Sequence, residues 1–462
     1  MDGQKKDRNT DTIAAIATAP GKAAIGIVRV SGPEATGIAR KVFQGEKDAS
    51  ELKGFEAAHG WVVLGGEKID EVILLMMRGP RSYTREDMVE ISCHGSPVVL
   101  RRVLDAVLAA GARMAKPGEF TKRAFLAGRI DLSQAEAVAA LIESETEAAA
   151  RSALAGLAGE LSGETRELRA CLLELLSEVE AGLDFAEDDL EFISREKLAG
   201  ALRKVMDELG RLLLRAQSGQ ILCQGVRLVI AGRPNVGKST LMNALLGQER
   251  VIVAPDPGTT RDVVEDAACI GGVVVRISDT AGIAEDADEL GRKGVERSRM
   301  AIGSADLVLL VLDGSEPLTS QDRAVLDETK NCRRLVLLNK SDLPRGMDSE
   351  ELGAVLGSNQ FLAVSAKTGE GMPALRERIG REIWSGKVAG EDALMAGKRQ
   401  MELLEGCREA LAQGLSAAEQ GLSGEFMAAD IRKAIECLAE LSGESVGDEV
   451  LELIFSRFCI GK

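Results

Sequence analysis

Apolar and polar positions follow three textures along this chain. Up to Phe125, short β-branched runs (Ala24 to Val30, Trp61 to Leu64, Val72 to Met77, Val89 to Ser92) alternate with Gly and Pro breaks, which predicts the strands of a small α/β or α+β domain. From Ser133 to Leu214 apolar residues recur every three or four positions in an Ala/Leu/Glu-rich stretch. Ser133 and Glu136 fit an S-x-x-E capping box there, so long paired helices are expected. At Val226 continuous apolar runs take over: Val226 to Ala231, Val273 to Ile277, Leu307 to Leu312, Leu335 to Leu338 and Phe361 to Val364. Separated by helix-length segments, they read as strands of a mostly parallel sheet buried on both faces. Helical texture returns after Trp384 and runs to Lys462. The expected fold class is therefore α/β plus all-α. Residues 1–124 form a first domain, 125–224 the first half of a helical domain, 225–384 an inserted α/β domain and 385–462 the second helical half.

Composition narrows the function classes. The chain has 462 residues, 45% of them hydrophobic, which is more than one core usually supports and enough to bury two or three. Its 57 basic against 73 acidic side chains give a net charge of −16, which argues against a surface that coats nucleic acid throughout and leaves only local basic patches. The best such patch is Arg101, Arg102, Arg113, Lys116, Lys122, Arg123 and Arg129, near few acids, open to nucleic-acid phosphate, a ligand tail or solvent. None of the eight cysteines forms a C-x-x-C pair, so reduced thiols in a cytoplasmic protein are expected. His94 has no second histidine near it and reads as structural. A polar start and the lack of a bilayer-length apolar run speak against secretion and membrane spanning.

The chemistry lies in the third texture. Gly232-Arg233-Pro234-Asn235-Val236-Gly237-Lys238-Ser239 fits G-x-x-x-x-G-K-[ST] between a strand and the helix-like run from Thr240. Backbone N–H groups of such a loop surround a β-phosphate at a helix N-terminus, Lys238 neutralises the β/γ oxygens, and Ser239 is placed to ligate Mg²⁺. Asp279-Thr280-Ala281-Gly282 ends the second apolar run, where Asp279 reaches Mg²⁺ through water and Gly282 offers its N–H to the γ-phosphate. Asn339-Lys340-Ser341-Asp342 ends the fourth, and the Asp342 carboxylate suits the N1–H and 2-amino donors of guanine, which adenine lacks. Ser365-Ala366-Lys367 completes the base pocket. Each motif closes a strand, where open α/β sheets bind ligands, so GTP/GDP binding is expected. Between the first two motifs, Gly258-Thr259-Thr260-Arg261-Asp262 reads as a switch segment, with Thr260 as the second protein ligand to Mg²⁺.

These motifs resemble the potassium-dependent bacterial GTPases, a Ras-like P-loop class. The resemblance implies that Asn235 and carbonyls of Ala254, Asp256 and Thr259, within the nucleotide-binding run Ala254-Pro255-Asp256-Pro257-Gly258-Thr259, hold K⁺ against the phosphates in place of an arginine finger. After Gly282 comes Ile283, which cannot orient water. The family resembled below has a glutamate nine residues past that glycine, where this chain has Gly291. Glu289, in the same acidic segment, is the candidate substitute, and acids that only solvate a loop are the alternative.

The flanks are more specific than the GTPase core. Asp11 to Ala14, Gly26 to Gly32, Glu86 to Gly95, Lys116 to Thr121, Arg129 to Glu136 and the terminal Phe455-Ser456-Arg457-Phe458-Cys459-Ile460-Gly461-Lys462 resemble the MnmE (TrmE) family of tRNA-modification GTPases. That resemblance implies a GTPase domain inserted in a helical domain, after an N-terminal domain that binds a 5-formyl-tetrahydrofolate-type one-carbon folate and forms a homodimer. It also implies partnership with the flavoprotein MnmG in modifying the wobble uridine of certain tRNAs. Folate contacts then fall on Arg29, Glu90, Arg129 and Lys462, with Arg129 standing where relatives often carry lysine. Cys459 is either a nucleophile on the one-carbon unit or a small apolar plug. Two other readings are a GTP-binding scaffold slowed by Gly291 and a ribosome-assembly GTPase. The latter predicts an RNA-binding appendage that the helical C-terminus does not show.

Overall fold

A computed structural model describes residues 11–184, 194–247, 266–279, 299–356, 360–385 and 392–462. The chain divides into two compact units, Met1–Ala139 with Ile435–Lys462, and Ala140–Ala434.

In the first unit seven strands form one sheet: β1 (Ile13–Ile16), β2 (Ile25–Ser31), β3 (Phe43–Gly45), β4 (Glu56–Leu64), β5 (Glu67–Met77), β6 (Met88–His94) and β7 (Arg113–Met114), in the order β3-β4-β5-β6-β2-β1-β7. Alternation decides its faces. Val28, Val30, Val72, Leu74, Val89 and Ile91 point into a core with the helices Ala35–Val42 and Pro97–Ala109. Residues between them face the other way, and the register places Leu75, Glu90, Arg29 and Ala15 in one row and Met77, Met88, Ser31 and Ile13 in the next.

The terminal segment joins this unit through apolar packing. Leu451, Phe455 and Phe458, on and after the helix Asp448–Ser456, bury themselves among Ala124, Ile130, Leu132 and Ala135. Each fully buried large side chain contributes about 1.5–3 kcal/mol, enough to fix the chain end in place. The end is then pinned to the helix Glu119–Leu126, where Phe120 N donates to Lys462 O at 3.2 Å.

The helix starting at Leu132 is capped differently from the expectation. Asp131 Oδ1 accepts from Gln134 N at 2.9 Å, and Gln134 Oε1 accepts from Asp131 N at 3.0 Å. Ser133 lies inside the helix Leu132–Glu143 and donates to Leu441 O. An aspartate two residues earlier outcompetes the serine because its carboxylate is the stronger acceptor, and burial gives Ser133 another partner.

The second unit holds the long helices Glu160–Asp184, Arg195–Gln224 and Lys398–Gln420, and a six-stranded sheet. Its strands are β8 (Val226–Ala231), β9 (Asp266–Ile270), β10 (Val273–Asp279), β11 (Leu307–Asp313), β12 (Arg334–Asn339) and β13 (Phe361–Ala363), ordered β13-β12-β11-β8-β10-β9. All neighbours are parallel except β9, which pairs antiparallel with β10 at one edge. Both faces are covered, which explains why β11 is buried at every position. Among the described residues, no helix is long and apolar enough to cross a membrane.

Candidate functional site

The phosphate loop follows β8 and opens the helix Lys238–Leu246. Three left-handed or strongly positive φ values bend it: Gly232 at 157°, Asn235 at 66° and Gly237 at 95°. At Gly237 the glycine is required twice over, since a Cβ there would also stand 2.4 Å from Asn339 Nδ2. The turn aims successive N–H groups toward the helix mouth, a built anion cradle. Lys238, only 6% exposed, donates through Nζ to Gly232 O at 3.0 Å and Arg233 O at 2.9 Å, so its charge spans the loop. Asn235, Ser239 and Thr240 are exposed on the same loop and first turn.

At the ends of β12 and β13 a hydrogen-bond frame joins the other motifs to that loop. Asn339 is buried, donates through Nδ2 to Val236 O at 2.8 Å and accepts at Oδ1 from Ala366 N at 3.0 Å. Buried Ser365 donates to Asp342 Oδ1 at 2.7 Å and accepts from Thr368 N at 3.2 Å, which leaves the Asp342 carboxylate exposed and oriented. Lys340, at φ 65°, donates to Asp313 Oδ2 at 2.5 Å, while Ser341 and Lys367 lie exposed beside it. Burial would raise the Asp313 carboxyl, but bonds from Lys340 and Ser315 hold it below the usual aspartate range. Sequence reasoning passed over Asp313; its signal was its place directly after the apolar run Leu307 to Leu312.

Asp279 ends β10 beside the paired Ile230 of β8, which brings its backbone to the same sheet edge as the phosphate loop. Ala254, Pro255, Asp256, Pro257, Gly258, Thr259, Thr260, Thr280, Ala281, Gly282, Glu289 and Gly291 lie outside the described residues.

The first unit gathers a second constellation. Arg29 donates through Nε to Glu90 Oε1 at 2.9 Å and through Nη1 to Gly461 O at 3.0 Å, and its guanidinium lies 5.7 Å over the Phe120 ring. Lys462 ends the chain there; burial first, then the Arg29 charge, pull its ammonium below the ordinary lysine range. Gly461 has φ 97°, and a Cβ on it would meet Ile16 O at 2.4 Å, so the last turn fits only glycine. Cys459 is exposed one turn back, its carbonyl accepting from Gly118 N at 3.4 Å. Thus Arg29, Glu90, Cys459 and Lys462 come together. Arg129 contacts Tyr83 instead, its guanidinium 4.8 Å over that ring. Gly461, Phe120 and Tyr83 were not foreseen as site residues, because their roles depend on contacts distant in sequence.

The expected basic patch is corrected by the same geometry. Arg123 is 3% exposed and bonds Asp11, Glu86 and Glu119, while Arg113 bonds Asp11 and Glu119. Arg101 pairs with Asp105, Arg102 with Glu67, and Lys122 stands 4.0 Å from Glu452. These acids are distant in sequence for the most part, so a linear count understated them. His94 is exposed and bonds Asp70 through Nδ1 at 2.8 Å, and no metal-holding group of His, Cys, Asp and Glu occurs among the described residues.

A mostly parallel sheet with a glycine-bent phosphate loop after a central strand is the fold of P-loop nucleotide-binding proteins. Residues 132–459 match the family described as "MnmE helical domain", and residues 12–129 match "GTP-binding protein TrmE N-terminus". Curated relatives named tRNA modification GTPase MnmE align over nearly the whole chain. One from Thermotoga petrophila is 42% identical over 98% of this chain and 100% of its own, and one from Symbiobacterium thermophilum is 44% identical over 98% and 99%. One from Enterococcus faecalis is 44% identical over 98% of each. The chain belongs to the MnmE family of tRNA modification GTPases. It is a GTP-binding hydrolase that acts in tRNA modification.

Proposed function

We propose that the chain hydrolyses GTP to drive a conformational cycle and, with the flavoprotein MnmG, adds an aminomethyl or carboxymethylaminomethyl group at C5 of the wobble uridine (position 34) of certain tRNAs in the cytoplasm. Asp342 reads guanine, steadied by Ser365, with Asn339, Lys340, Ser341, Ala366 and Lys367 forming the base pocket. Val236, Gly237, Lys238, Ser239 and Thr240 hold the phosphates. The hydroxyl of Ser239, exposed on the first turn of its helix, is a hard oxygen donor of the kind Mg²⁺ takes, and Thr260 would be its partner. Asn235, exposed and held at positive φ, with carbonyls of Ala254, Asp256 and Thr259, would hold K⁺. The two cations would supply neutralisation of phosphate charge. Thr280, Ala281 and Gly282, next in sequence after Asp279, would contact the γ-phosphate, and Glu289 is the proposed water-orienting acid.

The one-carbon folate reading rests on the cluster of Arg29, Glu90 and Lys462. Glu90 offers paired acceptors to a pterin, and Lys462 is a half-buried cation that an anionic group would relieve. The folate would supply the one-carbon unit, with Cys459 exposed nearby as nucleophile or plug and Arg129 as a further contact. Homodimer formation is supported by Ile25 and Ile73, exposed on the sheet face that carries Arg29 and Glu90.

The observation that carries the GTPase reading is the bond from Asn339 to Val236, which locks a base-reading motif to a phosphate loop. The test is assembly of the purified chain with MnmG and a reductant for its flavin, GTP, a 5-formyl-tetrahydrofolate donor, ammonium or glycine as the nitrogen source, and unmodified tRNA. Modified wobble uridine by mass spectrometry, abolished with a non-hydrolysable GTP analogue, is the expected result. Equal modification without GTP would overturn the reading.

A further inference from the structure

Three arginines share one cavity in the unit that carries Arg29 and Glu90. The cavity holds about 460 Å³ and is walled by Phe55, Met77, Tyr83, Arg81, Arg85 and Arg129. No acid lines it, in a chain whose net charge is −16. Arg85 donates to a backbone carbonyl, Ala127 O, at 3.0 Å, and Arg129 stacks on Tyr83, so neither charge is neutralised by these contacts. Phe55 is 63% exposed and sits at φ 61°, a conformation that costs an L-residue about 1 kcal/mol or more. An exposed phenylalanine and a half-buried tyrosine beside guanidinium groups match a ligand that is aromatic at one end and polyanionic at the other.

Sheet register ties this cavity to the Arg29–Glu90 pair. Met77 pairs with Met88, and two residues along the same strands Leu75 pairs with Glu90. Arg29 stands opposite Glu90 on the next strand. Side chains two apart share a face and lie roughly 7 Å from one another, so cavity wall and ion pair occupy adjacent rows of one surface.

We propose that this cavity takes the tail of a folate bearing several γ-linked glutamates, its aminobenzoyl ring against Phe55 and Tyr83. This rests on the folate reading above and names which form of that ligand the site selects. A single glutamate carries two carboxylates, and Arg129, a folate contact in that reading, is the first cavity charge to meet them. Each further γ-linked residue adds one more carboxylate, and Arg81 and Arg85 are the charges left to receive it.

Titration calorimetry of the full chain with 5-formyl-tetrahydrofolate as monoglutamate and as triglutamate tests this. The triglutamate is expected to bind on the order of tenfold more tightly, from two partly exposed charge pairs. Arg81→Gln with Arg85→Gln brings the ratio of the two affinities to about one, whereas Arg81→Lys with Arg85→Lys keeps a preference for the longer tail. Equal affinities in the wild type, or a preference that survives the double glutamine change, overturns the inference and leaves the folate reading standing. Binding of neither form removes both. If the glutamine pair does not fold, the lysine pair decides, and loss of its preference counts against the inference.

Discussion

Asn339 Nδ2 donates to the backbone carbonyl of Val236 at 2.8 Å, joining two segments 103 residues apart in the chain. The same amide accepts from Ala366 N, so one buried side chain sets the spacing of phosphate loop and base pocket. Asn339→Asp removes the donor and leaves two buried oxygens facing each other. GTP affinity, measured by fluorescent-nucleotide titration, is expected to fall about 10- to 100-fold, from the roughly 1–3 kcal/mol cost of an unpaired buried acceptor. Unchanged affinity would show that the loop keeps its shape without the bond.

Asp342 carries the base preference only if its carboxylate is held in place. Asp342→Ala should erase most discrimination between GTP and ATP, whereas Ser365→Ala should weaken GTP by about fivefold, as expected for one lost hydrogen bond of about 1 kcal/mol. Competition binding with both nucleotides separates the two effects.

Gly461→Ala places a methyl against Ile16 O and strains the last turn. A stability loss of about 1–3 kcal/mol is expected. Because Arg29 would lose its bond to Gly461 O, folate affinity should fall while GTP turnover in the other unit keeps its rate. Denaturant titration and calorimetry on one preparation check both.

The buried cation Arg123 depends on Glu119 and Asp11. Burial works to raise the Glu119 carboxyl, but Arg113, the Lys116 N–H and Arg123 hold it below the ordinary glutamate value of 4.5. A carboxylate depressed in the folded state contributes stability that is complete above that unfolded value and is lost as pH falls below it. Urea unfolding free energy should therefore decline below about pH 4.5, and Glu119→Gln should flatten that decline. At pH 7 the same change is expected to cost about 1–3 kcal/mol, because Arg123 loses one charged partner and keeps Asp11 and Glu86.

Lys462 behaves oppositely, since burial disfavours its charged form. The folded state then binds the proton less well than the unfolded chain, so this group lowers stability near neutrality and the cost is relieved as pH rises toward 10.5. Lys462→Met is expected to hold or raise the melting temperature while weakening folate binding by about tenfold. A lower melting temperature with unchanged folate affinity would assign the residue to structure alone.

The strand and helix textures, the phosphate loop and the order of the nucleotide motifs were legible in the amino-acid pattern alone. These are local: continuous apolar runs and a glycine spacing carry their meaning within a few residues, and the β8, β11 and β12 runs appear where expected. The terminal Phe-Cys-Ile-Gly-Lys was legible as a family likeness, but its reason was not. Only tertiary structure brought Gly461 to Arg29 across 432 positions and supplied Arg123 with Asp11 across 112. It also took the cap of one helix from Ser133 to Asp131 and set Arg129 on Tyr83. Charge pairing, burial and close backbone approach are properties of neighbours in space, and a linear pattern does not encode which distant residue the folded chain will place alongside.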